Sequence, residues 1–177
     1  MTITRIDGTT DARTTSAVVE LFVAYRHFYG RLDTDDDART FLHRRVRTQD
    51  SFVWAALADD GVAGFVQVYP AHTSLDLGTV WWLNDLFVAP TARAIGAGRA
   101  LVQHVLDEAA ANGVAEVRLE TQPSNTTARA LYERLGFTLD GPSAPVAEHD
   151  GGAFLTYTYG VPDPTTGAAR MAPAESV

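Results

Sequence analysis

Leu83-Asn84-Asp85-Leu86-Phe87-Val88-Ala89-Pro90-Thr91-Ala92-Arg93-Ala94-Ile95-Gly96-Ala97-Gly98-Arg99 is the stretch on which the reading of this chain turns. An apolar strand-like run, Thr79–Val88, is closed by Pro90, and then come an arginine, two glycines at n and n+2, and a helical pattern. Backbone amides at a helix start lack intrahelical partners, and the helix dipole adds partial positive charge there. Glycines allow phosphate oxygens to approach such a backbone closely. The expectation is a pyrophosphate site over Ala94–Arg99. A P-loop is excluded because its glycines lead into Lys-Ser/Thr and this chain has no lysine. A Rossmann fingerprint needs a third small residue where Leu101 stands.

Outward from this stretch, the elements alternate. Thr2–Ile6 reads as a short strand. Val18, Val19, Leu21, Phe22, Tyr25, Phe28 and Tyr29 recur at helical spacing from Thr15 to a stop at Gly30. Thr34 followed by Asp35, Asp36 and Asp37 reads as an N-cap and first turn, with Phe41, Leu42 and Val46 as the apolar stripe. Phe52–Ala58 and Val62–Tyr69 flank a hairpin turn at Asp59-Asp60-Gly61, and Pro70–Gly78 reads as a loop. Helices over Ala97–Asn112 and Asn125–Leu135 alternate with strands at Val114–Thr121, Phe137–Leu139 and Ala153–Tyr159. Gly141–Gly152 reads as a loop. The fold class is α/β of the α+β type: a mixed, largely antiparallel sheet of about seven strands with helices on both faces. Residues 1–160 form one domain, and 161–177 a Pro/Ala-rich tail without periodicity.

Composition removes whole classes of function. The 177 residues hold no cysteine, so disulfides, thiolate metal sites and a cysteine nucleophile are absent. The net charge is -8, with all 14 basic residues arginine, which argues against nucleic-acid binding and suits a cationic partner. His27, His43, His72, His104 and His149 show no ligand spacing, so no metal is expected. No Gly-x-Ser-x-Gly elbow occurs. No run is long enough to span a bilayer, and Met1–Thr10 lacks an apolar signal core. A cytoplasmic protein with no membrane partner is expected.

Arg93-x-x-Gly96-x-Gly98 after Leu86-Phe87-Val88 resembles the acetyl-CoA motif of the GNAT superfamily of N-acetyltransferases. Asn125-Thr126-Thr127-Ala128-Arg129-Ala130-Leu131-Tyr132-Glu133-Arg134-Leu135-Gly136-Phe137 resembles the family's other signature, with asparagine and tyrosine seven apart. Two blocks in order, separated by a strand, make the match specific. The resemblance implies acetyl-CoA as co-substrate. Backbone of Leu86, Phe87 and Val88 would hold pantetheine; Arg93 and the turn Ala94, Ile95, Gly96, Ala97, Gly98 and Arg99 would hold pyrophosphate. Asn125 and Ala128 would contact the cofactor arm, and Tyr132 would stand near the thioester sulfur. A tyrosine hydroxyl there can protonate the leaving thiolate.

Asn84-Asp85-Leu86-Phe87-Val88 further resembles the Glu-Asp-aromatic-aromatic-Val run of diamine and polyamine acetyltransferases. The family's glutamate falls on Asn84, which cannot accept a proton at neutral pH. Neighbours on a strand face opposite ways, so Asp85 substitutes only if a bulge brings it round; otherwise deprotonation runs through water. The resemblance places the acceptor groove at Tyr25, His27, Phe28 and Tyr29, with Asn84 and Asp85. The acids Asp33, Asp35, Asp36 and Asp37 read as a solvated helix start. Of Trp81 and Trp82, one faces each side of the strand. The resulting expectation is acetyl transfer to a small, cationic primary amine by a homodimeric enzyme. The alternatives are a protein amine as acceptor, or an acyl-CoA sensor without turnover.

Overall fold

A computed structural model describes residues 1–31, 34–75, 77–142 and 154–162. Asp33, His149, most of the Gly141–Gly152 loop and the tail from 163 therefore lie outside the described residues. In chain order the elements are β1 (Thr2–Arg5), α1 (Ala12–Phe28), α2 (Asp35–Thr48), β2 (Phe52–Ala58), β3 (Gly61–Thr73), β4 (Gly78–Val88), a 3-10 turn (Pro90–Ala92), α3 (Ala97–Ala111), β5 (Glu116–Thr121), α4 (Thr126–Arg134), β6 (Thr138–Pro142) and β7 (Leu155–Gly160). The sheet runs β1-β2-β3-β4-β5-β7-β6, and every neighbouring pair is antiparallel except β4 with β5.

Each face carries its own apolar layer. Leu101, Val102, Val105, Leu106 and Ala109 of α3 pack with Trp54, Val66, Trp81 and Leu83. On the opposite face Val18, Val19, Phe22 and Val23 of α1 and Ala38, Leu42 and Val46 of α2 cover Val53, Ala55, Phe65 and Phe87. Full burial of each such side chain stabilises by roughly 1.5–3 kcal/mol, which is why the helical stripes read from the sequence face the sheet.

Three local expectations need correction. Helix α1 begins three residues earlier than Thr15, because Asp11 accepts a hydrogen bond from the Thr14 amide at 2.9 Å and caps it. Thr34 makes no side-chain cap to α2; its hydroxyl instead accepts from Arg26 Nη1 at 2.7 Å. Strand β3 does not stop at Tyr69 but runs through Pro70 to Thr73, pairing Pro70 with Trp81. Pro70 lies beyond Val68, the last β3 residue paired with β2, where one strand edge is open and a missing N–H is tolerated.

Between β3 and β4 the register breaks once. Gln67 pairs with Asp85 and Val68 with Leu83, so Asn84 stands unopposed as a β-bulge. The bulge reverses which side chains face which layer. Trp81 and Leu83 join the α3 layer before it, and Leu86 and Val88 do so after it. Phe87 turns to the α1 layer, and Asp85 with it, in a cavity lined by Phe22 and Tyr25 of α1. Close approach of the same two strands needs Gly64, where a Cβ would sit 2.6 Å from the Phe87 carbonyl oxygen.

Candidate active site

Strands β4 and β5 pair only over Val80–Trp82 and Glu116–Arg118. Beyond that point β4 continues to Val88 and β5 to Thr121, held by β3 and β7 on their far sides. The two strands part, and the β5-facing backbone of Leu83–Val88 has no ladder partner. A cavity of about 300 Å³ opens at the parting, lined by Trp82, Leu83, Asn84 and Leu86 from β4 and Glu120 and Thr121 from β5. Asn125, Ala128 and Tyr132 of α4, Tyr25 and Tyr29 of α1, and Phe154 complete it. An unpaired strand edge is a template for an extended ligand with amide groups.

After Pro90 the chain turns into α3. Ala94 and Gly96 adopt positive φ, 70° and 86°, and Gly96 is the N-cap without any side-chain hydrogen bond to the first turn. The first intrahelical bond there is Ala100 N to Gly96 O, so the earlier amides of α3 remain available to an anion. A Cβ at Gly98 would stand 3.5 Å from Val88 Cγ2 and 3.6 Å from Leu131 Cδ2, ordinary van der Waals contact, so there is room for a Cβ itself but anything larger would press on β4 and α4. The residues present therefore fit the pantetheine and pyrophosphate of an acyl-coenzyme A through the open edge of β4 and the start of α3. Arg93, Ala94, Ile95, Gly96 and Arg99 are exposed at that start, whereas Ala97 is buried.

Tyr132 and Asn125 come to the cavity on one helix. Asn125 caps α4, its side chain accepting from the Ala128 amide at 3.2 Å, and Tyr29, just past the end of α1, lines the same cavity. Tyr132 is 6% exposed and packs against Phe137 and Tyr157, with ring centroids at 5.7 and 6.2 Å. Burial, helped by Tyr29, raises its pKa, so the phenol keeps its proton at neutral pH. A buried, neutral hydroxyl in a cleft wall is a proton donor for an anion that forms there.

A second cavity of about 340 Å³ adjoins the first and shares Tyr25, Tyr29 and Asn84 with it. Its other walls are Phe22, Arg26, Arg31, Phe41, Tyr69 and Asp85. The bulge that a role for Asp85 would require is present at Asn84, and it turns this carboxylate to the α1 side. There Asn84 donates a hydrogen bond to it at 3.2 Å, and the Tyr25 hydroxyl faces it and favours its charged form. Burial outweighs both influences and pushes the Asp85 pKa up. Burial also raises Tyr25, and it lifts Tyr69 to about 12.

Not every expected groove residue lines these cavities. Phe28 is 61% exposed, lies outside both linings, and carries Arg93 over its ring at 6.0 Å. His27 pairs with Asp35 at 2.6 Å on the surface. Phe87 points its ring into the α1 layer, leaving its backbone as the part that meets the cleft. Trp81 is core and Trp82 lines the first cavity. Tyr69, Phe41, Arg26 and Arg31 were not legible as site residues. Tyr69 alone had a signal, sharing one strand face with Phe65 and Gln67. Among the described residues no cluster of His, Asp or Glu could hold a metal, and no helix is long and apolar enough to cross a membrane.

The parted β4–β5 pair and the start of α3 leave an open strand edge and free amides side by side, room and donors for an acyl-coenzyme A. The chain belongs to the acetyltransferase (GNAT) family, whose model matches residues 17–137. It is 37% identical over 125 residues to the uncharacterized N-acetyltransferase YhfO of Bacillus subtilis (strain 168), covering 71% of this chain and 84% of that protein. The crystal structure of a probable acetyltransferase superposes with a TM-score of 0.74 at 34% identity, over 84% of this chain and all of that one (100%). At 18% identity the Arabidopsis thaliana NAA60 structure in complex with acetyl-CoA shares the fold, with a TM-score of 0.69 over 90% of this chain and 98% of that one. The protein is an acetyl-CoA-dependent N-acetyltransferase.

Proposed function

We propose that this enzyme moves the acetyl group of acetyl-CoA to the primary amine of a small acceptor that enters through the second cavity. The observation that carries this reading is the junction at Asn84. There the cleft that holds Tyr132 meets the compartment that holds Asp85, so a proton donor and a proton acceptor flank one passage.

In this reading the unpaired β4 edge and the α3 amides hold the co-substrate, and Asn125 and Ala128 border its arm. The acceptor arrives as an ammonium. Asp85, made more basic by burial and bonded by Asn84, takes its proton directly or through a water. The free amine forms a C–N bond to the thioester carbonyl carbon, the C–S bond breaks, Tyr132 supplies a proton to the departing thiolate, and the proton still carried by the new amide nitrogen passes through water to the Tyr132 oxygen, which restores the phenol. Orientation in a closed passage provides much of the acceleration.

A diamine or polyamine was the finer expectation, from Asp85 beside aromatic rings. The lining weighs against it, because Arg26 and Arg31 bring two positive charges to the compartment and would repel a second ammonium. A homodimer remains part of the reading on family resemblance, and light scattering of the full chain tests it. The decisive experiment is free-thiol release from acetyl-CoA with a panel of primary amines. Release with at least one small amine is the expected result. Binding of acetyl-CoA without release would favour the sensor reading, and release with peptides alone would favour a protein amine.

A further inference from the structure

The second cavity is bipolar. Among its described lining residues Asp85 is the one carboxylate, and Arg26 and Arg31 are the cations. Asn84, next to Asp85, borders both cavities, whereas Arg26, Arg31 and Phe41 border only the second, so the two arginines lie on the part away from the cleft. Arg26 is half-buried and fixed by two bonds from the same nitrogen, Nη1 to the carbonyl and hydroxyl oxygens of Thr34 at 3.1 and 2.7 Å. Its Nε and Nη2 take no part in those bonds. The chain then folds back so that the Arg31 amide donates to the Arg26 carbonyl at 2.9 Å, which keeps the two arginines together. Between these poles Phe22 and Phe41 stack at 5.8 Å with ring planes 11° apart, an apolar wall.

A guanidinium fork is matched to a carboxylate and is geometrically more selective than an ammonium. We infer that the acceptor is a small amine that also carries a carboxylate, its amine toward Asn84 and Asp85 and its carboxylate on Arg26 and Arg31. This rests on the acetyl-transfer reading above. It reverses the polarity expected from net charge: the molecule as a whole is acidic, but this compartment is not.

The test is kcat/KM for thiol release with ω-amino carboxylates from glycine upward, each beside the alkylamine and the diamine of equal length. The best amino carboxylate should exceed its matched diamine by about tenfold or more. Arg31→Gln, at an exposed position, should reduce that ratio by about fivefold or more; Arg26→Gln is the second variant, read only where circular dichroism shows a folded chain. A matched diamine or alkylamine preferred over every amino carboxylate, with thiol still released, would overturn the carboxylate assignment and leave acetyl transfer standing. So would a ratio unmoved in both folded variants. No thiol released with any amine, while acetyl-CoA binds, would overturn acetyl transfer itself and this inference with it.

Discussion

The Tyr25 hydroxyl faces the Asp85 carboxylate, bringing helix α1 to the strand that forms the floor of both cavities. They meet because Asn84 is unopposed in the β3–β4 ladder; were Asn84 paired in regular alternation, Asp85 would face the α3 side with Trp81 and Leu83.

Asp85 should make the fold sensitive to pH. Its folded pKa lies above the unfolded value, so the native state binds the proton more tightly, and stability falls as pH rises through that window. Asp85→Asn removes the ionisation. The variant should unfold at a higher temperature than the parent at pH 7, and the gain should vanish below about pH 4, near the unfolded carboxylate value. Its kcat should fall at the same time. Calorimetry across pH measures the first effect, and an equal Tm difference at both ends would refute it.

Tyr132→Phe keeps the ring contacts with Phe137 and Tyr157 and deletes only the hydroxyl. A proton donor acting in the bond-breaking step should lower kcat by about tenfold or more while KM for acetyl-CoA stays close to the parent value. Steady-state kinetics with a saturating amine decides it; an unchanged kcat and pH profile would remove Tyr132 from the chemistry.

Gly96 holds φ at +86° at the start of α3, a conformation β-branched residues avoid. Gly96→Val should reorient the first-turn amides and weaken acetyl-CoA binding by more than about tenfold, or about 1.4 kcal/mol. Gly98→Val should act differently. Its Cβ heads toward Val88 and Leu131, so the loss should register first in thermal stability. Titration calorimetry beside melting curves separates the two glycines.

At Gly64 a Cβ would meet the Phe87 carbonyl oxygen at 2.6 Å, a backbone atom with no flexible side chain to yield. Gly64→Ala should separate β3 from β4 and destabilise the fold by roughly 1–3 kcal/mol. Urea unfolding gives the number. A stability within experimental error of the parent would mean that the strands shift without loss.

The elements themselves were legible from local chemistry. Strand β2 at Phe52–Ala58 matches its strand-sized apolar run, and α3 begins at Ala97, directly after the glycine that caps it. The Asn125–Tyr132 spacing likewise implied that both residues share one helix, and α4 brings both to the cleft. These features depend on neighbours a few residues apart, where periodicity and backbone preference act directly. Tertiary structure alone decided the rest. Whether Asn84 is opposed depends on the register with β3, and that register follows from which side chains the two layers bury. The parting of β4 from β5 depends on β7 holding β5 from its far side. Arg26 and Arg31 join Asp85 in one compartment because α1 packs on the sheet and the chain folds back at its end. No spacing along the sequence encodes such a meeting, since it arises from burial summed over two apolar layers and not from any local pattern.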